Sequence, residues 1–378
     1  MLICGTESRK LSVRVGSTPE QTGSIQEDKM IFFRICKLQV VLLAMVVLLL
    51  QTNSLRADSG KIPEKIVIGY MTVPNPLTVA KELGWVEKTL GIPVKWVKYE
   101  SGRHVLNAIP AKEVDLTHIG STPCAAGIAN GLPIEVVWVS AVIADGEALV
   151  VSKKAGIEEL ADLAGQKVAT PFQSTSHYAL KIALKLSNVE ESRMEIINMD
   201  PDQMLAAWEK DEIQAGYVWN PNLTRMVETG GKILLSSKEL ALRGFPTADL
   251  FVARKDFAEK YPTVVSGVVK DLSRAADLCR SDPAKASTAV AKGLGITPEK
   301  ALKEMAGMIF LTTAEQKVGL YIGKLQWEFG LYTLLKDSAD FLEKEGVIEK
   351  SPPWPAFRRA INPGFIEELY RKLKRPKY

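Results

Sequence analysis

Gly165-Gln166-Lys167-Val168-Ala169-Thr170-Pro171-Phe172-Gln173-Ser174-Thr175-Ser176-His177-Tyr178-Ala179-Leu180-Lys181-Ile182-Ala183-Leu184 reads as a short buried strand, a hydroxyl-rich turn and a helix. Three consecutive hydroxyl residues, Ser174-Thr175-Ser176, fall where the helix cap and first turn belong. Their oxygens can accept from backbone N–H groups that have no partner inside the helix. The same place suits an anion, because free N–H groups and the positive end of the helix dipole point outward there. On spacing alone the hydroxyls need do no more than cap the helix.

Working outward, the same strand–helix alternation occupies both sides of this stretch. Strands are expected over 65–70, 94–97, 115–120 and 134–139, with helices over 77–83, 101–108 and 121–129 between them. After 147–151, a strand at a break in composition, come a short helix over 157–163 and the opening stretch. Strands over 194–197 and 215–219 follow, with helices after Asp200-Pro201-Asp202-Gln203, a capping box, and over 221–228. A second apolar strand at a boundary, 247–253, precedes a helical remainder with patterning over 262–279, 283–293, 298–308, 313–341 and 363–373. Alternation of this kind predicts an α/β fold with mostly parallel sheet covered on both faces. The two halves share an architecture without a sequence repeat.

The first 57 residues stand apart. A basic region ends at Lys37, and Leu38-Gln39-Val40-Val41-Leu42-Leu43-Ala44-Met45-Val46-Val47-Leu48-Leu49-Leu50 follows, with Ala57 at a plausible cleavage point. This is the pattern of a secretory signal peptide, and too short for a comfortable membrane span; an uncleaved anchor is the other reading. Met30 is the expected start. Residues 1–57 hold seven of the 48 Lys and Arg and four of the 44 Asp and Glu, which leaves 41 basic against 40 acidic residues, a net of +1. Most of the basicity thus belongs to the leader, and no nucleic-acid footprint remains. The basic end at 371–377 reads as a solvated tail. Outside the leader the cysteines are Cys124 and Cys279, expected as buried free thiols although an oxidising compartment would let them pair.

Catalytic signatures are missing. The three histidines, His104, His118 and His177, have no metal-ligand spacing, and no H-E-x-x-H, C-x-x-C, G-x-S-x-G, phosphate-loop or dinucleotide fingerprint occurs. No metal or cofactor is expected. Two helix starts draw attention instead: Gly120-Ser121-Thr122-Pro123 after a strand of the first half, and Ser174-Thr175-Ser176 in the matching place of the second. In open α/β sheets ligands bind beyond the carboxyl ends of strands. Two acids, Glu147 and Asp249, lie on the apolar strands at the composition breaks, where an unpaired carboxylate is costly. Each is explained either by an internal partner or, more sharply for Asp249, by a ligand ammonium. Tyr217 and Trp219 end another strand; either they fill the core or they pack a short alkyl chain or a cation in a cleft. These residues suggest a two-lobed exported protein with a cleft for a small ligand carrying an anionic head and a cationic tail.

Several segments resemble the periplasmic substrate-binding components of ABC importers for taurine and related sulfonates, within the wider nitrate, sulfonate and thiamine-precursor group. They include Gly120-Ser121-Thr122-Pro123, Glu147-Ala148-Leu149-Val150-Val151, Pro171-Phe172-Gln173-Ser174-Thr175-Ser176-His177-Tyr178, Gly216-Tyr217-Val218-Trp219-Asn220-Pro221 and Pro246-Thr247-Ala248-Asp249-Leu250. The resemblance covers roughly 65–345. It implies a type II periplasmic-binding fold: lobe 1 from 58–149 and 250–378, lobe 2 from 150–249, joined by two hinge strands at 147–151 and 250–253. It implies binding without chemistry by a periplasmic monomer whose loaded, closed form docks on the membrane permease of an ABC importer and its ATPase. Carried over residue by residue, hydroxyls and N–H groups at Ser121, Thr122, Ser174 and Thr175 meet a sulfonate, Asp249 meets the taurine ammonium with Glu147 as a weaker candidate, and Trp219 and Tyr217 line the ethyl linker. Neutral donors suffice for a permanent anion. Val73-Pro74-Asn75-Pro76 and His118 depart from the family pattern, which leaves other sulfonates, another small zwitterion, a thiamine precursor or an enzyme on the same fold as alternatives.

Overall fold

The computed structural model describes residues 62–323 and 330–374, so the expected leader and the last residues of the basic tail lie outside the described residues. The chain runs β1 (Ile66–Tyr70), α1 (Pro76–Glu82), α2 (Trp85–Leu90), β2 (Val94–Lys98), α3 (Gly102–Ala108), β3 (Leu116–Gly120), α4 (Ser121–Ala129), β4 (Ile134–Ile143) and β5 (Glu147–Ser152). It continues through β6 (Lys167–Thr170), α5 (Thr175–Leu186), β7 (Glu195–Asn198), α6 (Pro201–Glu209), β8 (Ala215–Trp219), α7 (Asn222–Glu228), β9 (Gly231–Ser236), α8 (Ser237–Leu242) and β10 (Ala248–Arg254). Last come α9 (Lys255–Lys260), α10 (Pro262–Ser281), α11 (Pro283–Leu294), α12 (Pro298–Met305), β11 (Met308–Ile309), α13 (Thr313–Gln316), α14 (Leu331–Lys344), α15 (Trp354–Arg359) and α16 (Gly364–Lys374).

Two sheets result, in the orders β11-β4-β10-β3-β1-β2 and β7-β6-β8-β5-β9. Their centres match. β1 is parallel to β2 and β3, and β6 is parallel to β7 and β8. Beside each trio stands an antiparallel strand, β10 against β3 and β5 against β8. The expectation of mostly parallel sheet is therefore corrected outside the trios. Parallel neighbours arise where a helix carries the chain back to the same end of a sheet. β5 and β10 instead enter from the other sheet, and nothing obliges them to run parallel.

The chain leaves the first sheet over 144–146 and returns over 237–247. At the first passage the N–H groups of Ala144 and Gly146 both donate to the Gly307 carbonyl, at 3.2 and 2.9 Å. The strands expected to bridge two lobes are thus ordinary members of one sheet each, and the bridging segments precede them. Glu147 opens a strand of the second sheet, and Asp249 is the second residue of a strand of the first.

Packing follows the strand period. Leu149 and Val151 of β5 join one core of the second sheet with Tyr217 and Leu180, while Ala148 and Val150 join another with Met204 and Trp208. The first sheet lies in a larger core that also takes Leu272, Leu335, Phe357 and Ile366, so the C-terminal helices belong to it. Two expectations fail in this part of the chain and in the second half. The helical patterning over 313–341 is interrupted: α13 stops at Gln316, turns follow, and α14 begins at Leu331. After the helix expected over 221–228 comes a strand that was not expected, β9, opened by Gly231: a Cβ there would stand 2.6 Å from Val150 Cγ2, so glycine lets β9 pair that closely with β5.

Candidate functional site

Ser174 is the cap of α5: its hydroxyl accepts from the His177 N–H at 3.2 Å and donates to the Pro171 carbonyl at 2.5 Å. Before it, Gln173 takes a left-handed backbone, φ 64°, and its N–H donates to His177 Nδ1 at 3.4 Å. His177 stacks on Phe172 with ring centroids 4.5 Å apart and is buried. Burial pushes its pKa down to about 4, so it is a neutral ring that shapes the turn. With Ser174 spent on the His177 N–H, the N–H groups of Thr175 and Ser176 have no acceptor among the described residues. That is the ordinary condition of a helix first turn, and it makes the place attractive to an anion.

Facing it is the start of α4. A Cβ built on Gly120 would lie 3.2 Å from Thr175 Cγ2, so the two helix starts from the two sheets touch, with a glycine at the point of contact. Next to this contact is a partly open cavity of ≈ 490 Å³ counting the solvent space at its mouth. Ser174, Thr175, Glu147, Trp219 and Asp249 line it, together with Met71, Val73, Pro74, His118 and Asn220. Five of the eight residues singled out in the sequence are brought together here. Trp219, at the end of β8 in the second sheet, packs against the core of the first.

The other three lie behind the wall. Ser121 is fully buried, and its hydroxyl accepts from the Ala248 N–H at 3.3 Å, tying α4 to β10. Thr122 is fully buried, with a hydroxyl that has no partner among the described residues. Tyr217 does not reach the cavity. It fills the core of the second sheet, its hydroxyl within 3.1 Å of Ser237 Oγ, which corrects the expectation that it lines a ligand chain. Successive residues of a strand face opposite ways, but Tyr217 and Trp219 share a face; what separates them is that β8 ends at Trp219, where the ring can swing out of the core.

The two acids differ in their surroundings. Glu147 Oε2 accepts from Thr175 Oγ1 at 2.6 Å and Ser176 Oγ at 2.9 Å, and Oε1 accepts from Ser237 Oγ at 2.9 Å. Burial raises its pKa, and the three hydroxyls pull it back in part. The Thr175 hydroxyl, expected to point at a ligand, is engaged with Glu147, and what Thr175 offers the cavity is its N–H. Ser176 belongs to the hydroxyl run singled out in the sequence, but its bond to Glu147 was not foreseen, and neither was Ser237. Ser237 lies 90 residues from Glu147, and no local pattern could have joined them.

Asp249 is also buried, yet its only charged or polar side-chain neighbour within bonding range among the described residues is His118, with Nε2 3.5 Å from Oδ1. Burial, followed by the nearby Glu147 charge, raises its pKa to about 8. His118 is pushed down to about 4 by burial. Its Nδ1 lies 3.1 Å from Asn75 Nδ2, on the loop flagged in the sequence as unusual. Among the described residues no Lys or Arg lines the cavity. Its lining is mainly apolar, with the acids Glu147 and Asp249 and the start of α5 in its wall. Such a space suits a small zwitterion. Among the described residues no three His, Cys, Asp or Glu side chains gather to hold a metal ion.

Residues 60–294 match the NMT1-like family. The chain belongs to that family. Among its relatives it is 37% identical to the taurine-binding periplasmic protein of Escherichia coli (strain K12) over 205 residues, 54% of this chain and 63% of that protein. The chain therefore spans less than two thirds of that relative's length. It is 30% identical over 244 residues to a Bacillus subtilis (strain 168) protein named for aliphatic sulfonate binding, covering 62% of this chain and 72% of the relative. In structure it resembles the alkanesulfonate-binding protein SsuA of Xanthomonas axonopodis pv. citri bound to MOPS, at TM-score 0.65 and 20% identity, over 79% of this chain and 99% of that one. The periplasmic SsuA of Escherichia coli gives TM-score 0.65 at 21% identity, over 81% and 100%. These structural neighbours have the two-lobe periplasmic-binding fold, and the two sheets described above give this chain the same fold.

Proposed function

We propose that this protein captures taurine or a closely related small sulfonate in the cleft and delivers it to the permease and ATPase of an ABC importer, itself undergoing no chemistry. One observation supports the reading above all: a single cavity is lined both by Ser174 and Thr175 at the start of α5 and by the buried Asp249, which has no cationic partner there. The names of the relatives favour a binding protein over an enzyme on the same fold, and favour sulfonate over nitrate or a thiamine precursor. In this reading the sulfonate sits at the first turns of α5 and α4, near Thr175, Ser176, Ser121 and Thr122, with Ser174 shaping the turn. The ammonium meets Asp249, and Trp219 covers the alkyl link. Glu147 holds the α5 turn in place and does not touch the ligand. Lobe 1 is made by 58–149 and 250–378 and lobe 2 by 150–249, the working form is a monomer, and the leader sends it to the periplasm.

The test is a thermal-unfolding screen with taurine, isethionate and simple alkanesulfonates. A ligand at a hundred times its Kd stabilises the folded state by about 2.7 kcal/mol, which gives a shift of several degrees. A melting temperature unmoved by every sulfonate at millimolar concentration rejects the reading.

A further inference from the structure

Asn75 and His118, which lie behind Asp249, have no role in the reading above. Asn75 caps α1, and its Oδ1 accepts from the Thr78 N–H at 2.9 Å and from Thr78 Oγ1 at 3.2 Å. A backbone N–H only donates, so the oxygen of the Asn75 amide is identified and its NH₂ group is the one that faces His118 Nδ1, at 3.1 Å. Nδ1 must therefore accept, and the ring proton sits on Nε2, which faces Asp249 Oδ1 at 3.5 Å. Protonation of Nδ1 would set N–H against N–H₂ at 3.1 Å in a fully buried place, so the amide keeps the ring neutral. The titratable groups that face Asp249 are His118 from β3 and Glu147 from β5; β4, α4, α5 and the end of β8 bring none to the cavity.

We propose that Asn75 and His118 are specificity-determining positioning residues: they hold an uncharged donor against Asp249, so that the carboxylate stays available for a cationic ligand group and gives up its own proton when that group binds. This rests on the reading of the cleft as a sulfonate site. A charged histidine would pair with Asp249 and satisfy it internally. A neutral one stands beside Oδ1 at 3.5 Å without cancelling the carboxylate charge, which is left to the ligand. The exchange balances without any other reactant: the protonated Asp249 carboxyl releases H⁺ to solvent, and the ligand ammonium, keeping all its protons, takes that place beside the carboxylate. Asp249 titrates at about 8 in the free protein, so at pH 7 it is largely protonated. Taurine binding then releases close to one proton at pH 7, and taurine affinity climbs as pH rises toward 8. Isethionate, which has a hydroxyl in place of the amine, releases none and shows no such climb.

The experiment is calorimetric titration of the full protein with taurine and with isethionate at pH 7, in two buffers of different ionisation enthalpy, for the wild type, Asn75→Asp and His118→Gln. Asn75→Asp keeps the cap oxygen but replaces the amide donor with a second acid, so His118 becomes charged and pairs with Asp249. It is expected to weaken taurine by about tenfold or more, to leave isethionate within about threefold, and to abolish proton release. His118→Gln keeps a neutral donor near the Nε2 position and is expected to keep both the preference and the proton release. Loss of both ligands in equal proportion in Asn75→Asp, or wild-type taurine binding with no proton release, overturns the inference while leaving the sulfonate reading intact. A wild type that binds neither ligand overturns both.

Discussion

Glu147 receives three hydroxyl hydrogen bonds, and Asp249 receives none of ordinary length; the two buried acids therefore respond differently to substitution. Hydrogen bonds to a charged group each contribute about 1.5–3 kcal/mol, and a buried group left unpaired costs about 1–3 kcal/mol. Glu147→Ala strands the hydroxyls of Thr175, Ser176 and Ser237 and is expected to lower stability by about 3 kcal/mol or more in urea unfolding, with or without ligand. Asp249→Asn is expected to do the opposite in the ligand-free protein. The folded-state pKa is raised, from 3.8 to about 8. The folded protein thus holds this proton more tightly than the unfolded chain, and the carboxyl costs stability increasingly as pH rises from 3.8 through 8. Removing it should stabilise the ligand-free protein little at pH 4 and most at pH 8 and above, on the order of a few kcal/mol, while weakening taurine far more than isethionate. Melting temperatures across pH 4–9 check the first part; a gain that is flat with pH contradicts it. His118 and His177 act in the other direction. Both are depressed from 6.5 to about 4, so the stability they contribute is complete above 6.5 and is lost as pH falls through 4.

At the level of elements, α5 ties the turn to the rest. Its cap contributes one hydrogen bond from His177 N–H to Ser174 Oγ, and replacing such a cap with Ala costs about 1 kcal/mol. Ser174→Ala is expected to lose about that much in unfolding, and to weaken sulfonates more than the stability loss alone implies, because the freed His177 N–H and the Pro171 carbonyl loosen the turn that presents Thr175 and Ser176. Ser174→Asp, which keeps an acceptor but adds a negative charge at the anion site, should retain stability and lose binding; equal binding in both variants would show that the turn does not meet the ligand. The strand–turn–helix reading of this stretch came directly from its composition: β-formers, a proline, three hydroxyls and then an apolar helical period. So did the paired helix start at Gly120-Ser121-Thr122-Pro123, and the buried thiols. The direction of β5 and β10 was not legible, since residue period is the same in parallel and antiparallel strands. Nor was the inward turn of Tyr217, or the meeting of Glu147 with Ser237, because these depend on which sheet a strand joins. Of the cavity, the sequence carried the residue types and missed the partners that decide which of them remain free.

At the level of the molecule, something must hold the two lobes together over the cavity. Ion pairs cross between them: Lys300 Nζ lies 2.8 Å from Glu228 Oε2, and Arg103 Nη2 lies 3.7 Å from Asp200 Oδ1 with His104 beside it. These groups are partly solvent-exposed, and exposed pairs contribute about 0–1 kcal/mol each and weaken with salt. The closer constraint is steric, where Gly120 meets Thr175. The backbone of Gly120 has φ −68°, which any residue adopts, so its glycine is required by the approach of the other lobe alone. A Cβ there, 3.2 Å from the Thr175 methyl, forces a small adjustment, and a branched side chain forces the lobes apart. Gly120→Val is therefore expected to leave the urea midpoint of the ligand-free protein within about 1 kcal/mol of wild type, while weakening taurine and isethionate alike by tenfold or more. Small-angle scattering should show the wild type contracting on addition of taurine and the variant remaining extended. If Gly120→Val contracts and binds as the wild type does, the contact between the two helix starts is incidental, and closure is governed instead by the cavity wall around Trp219.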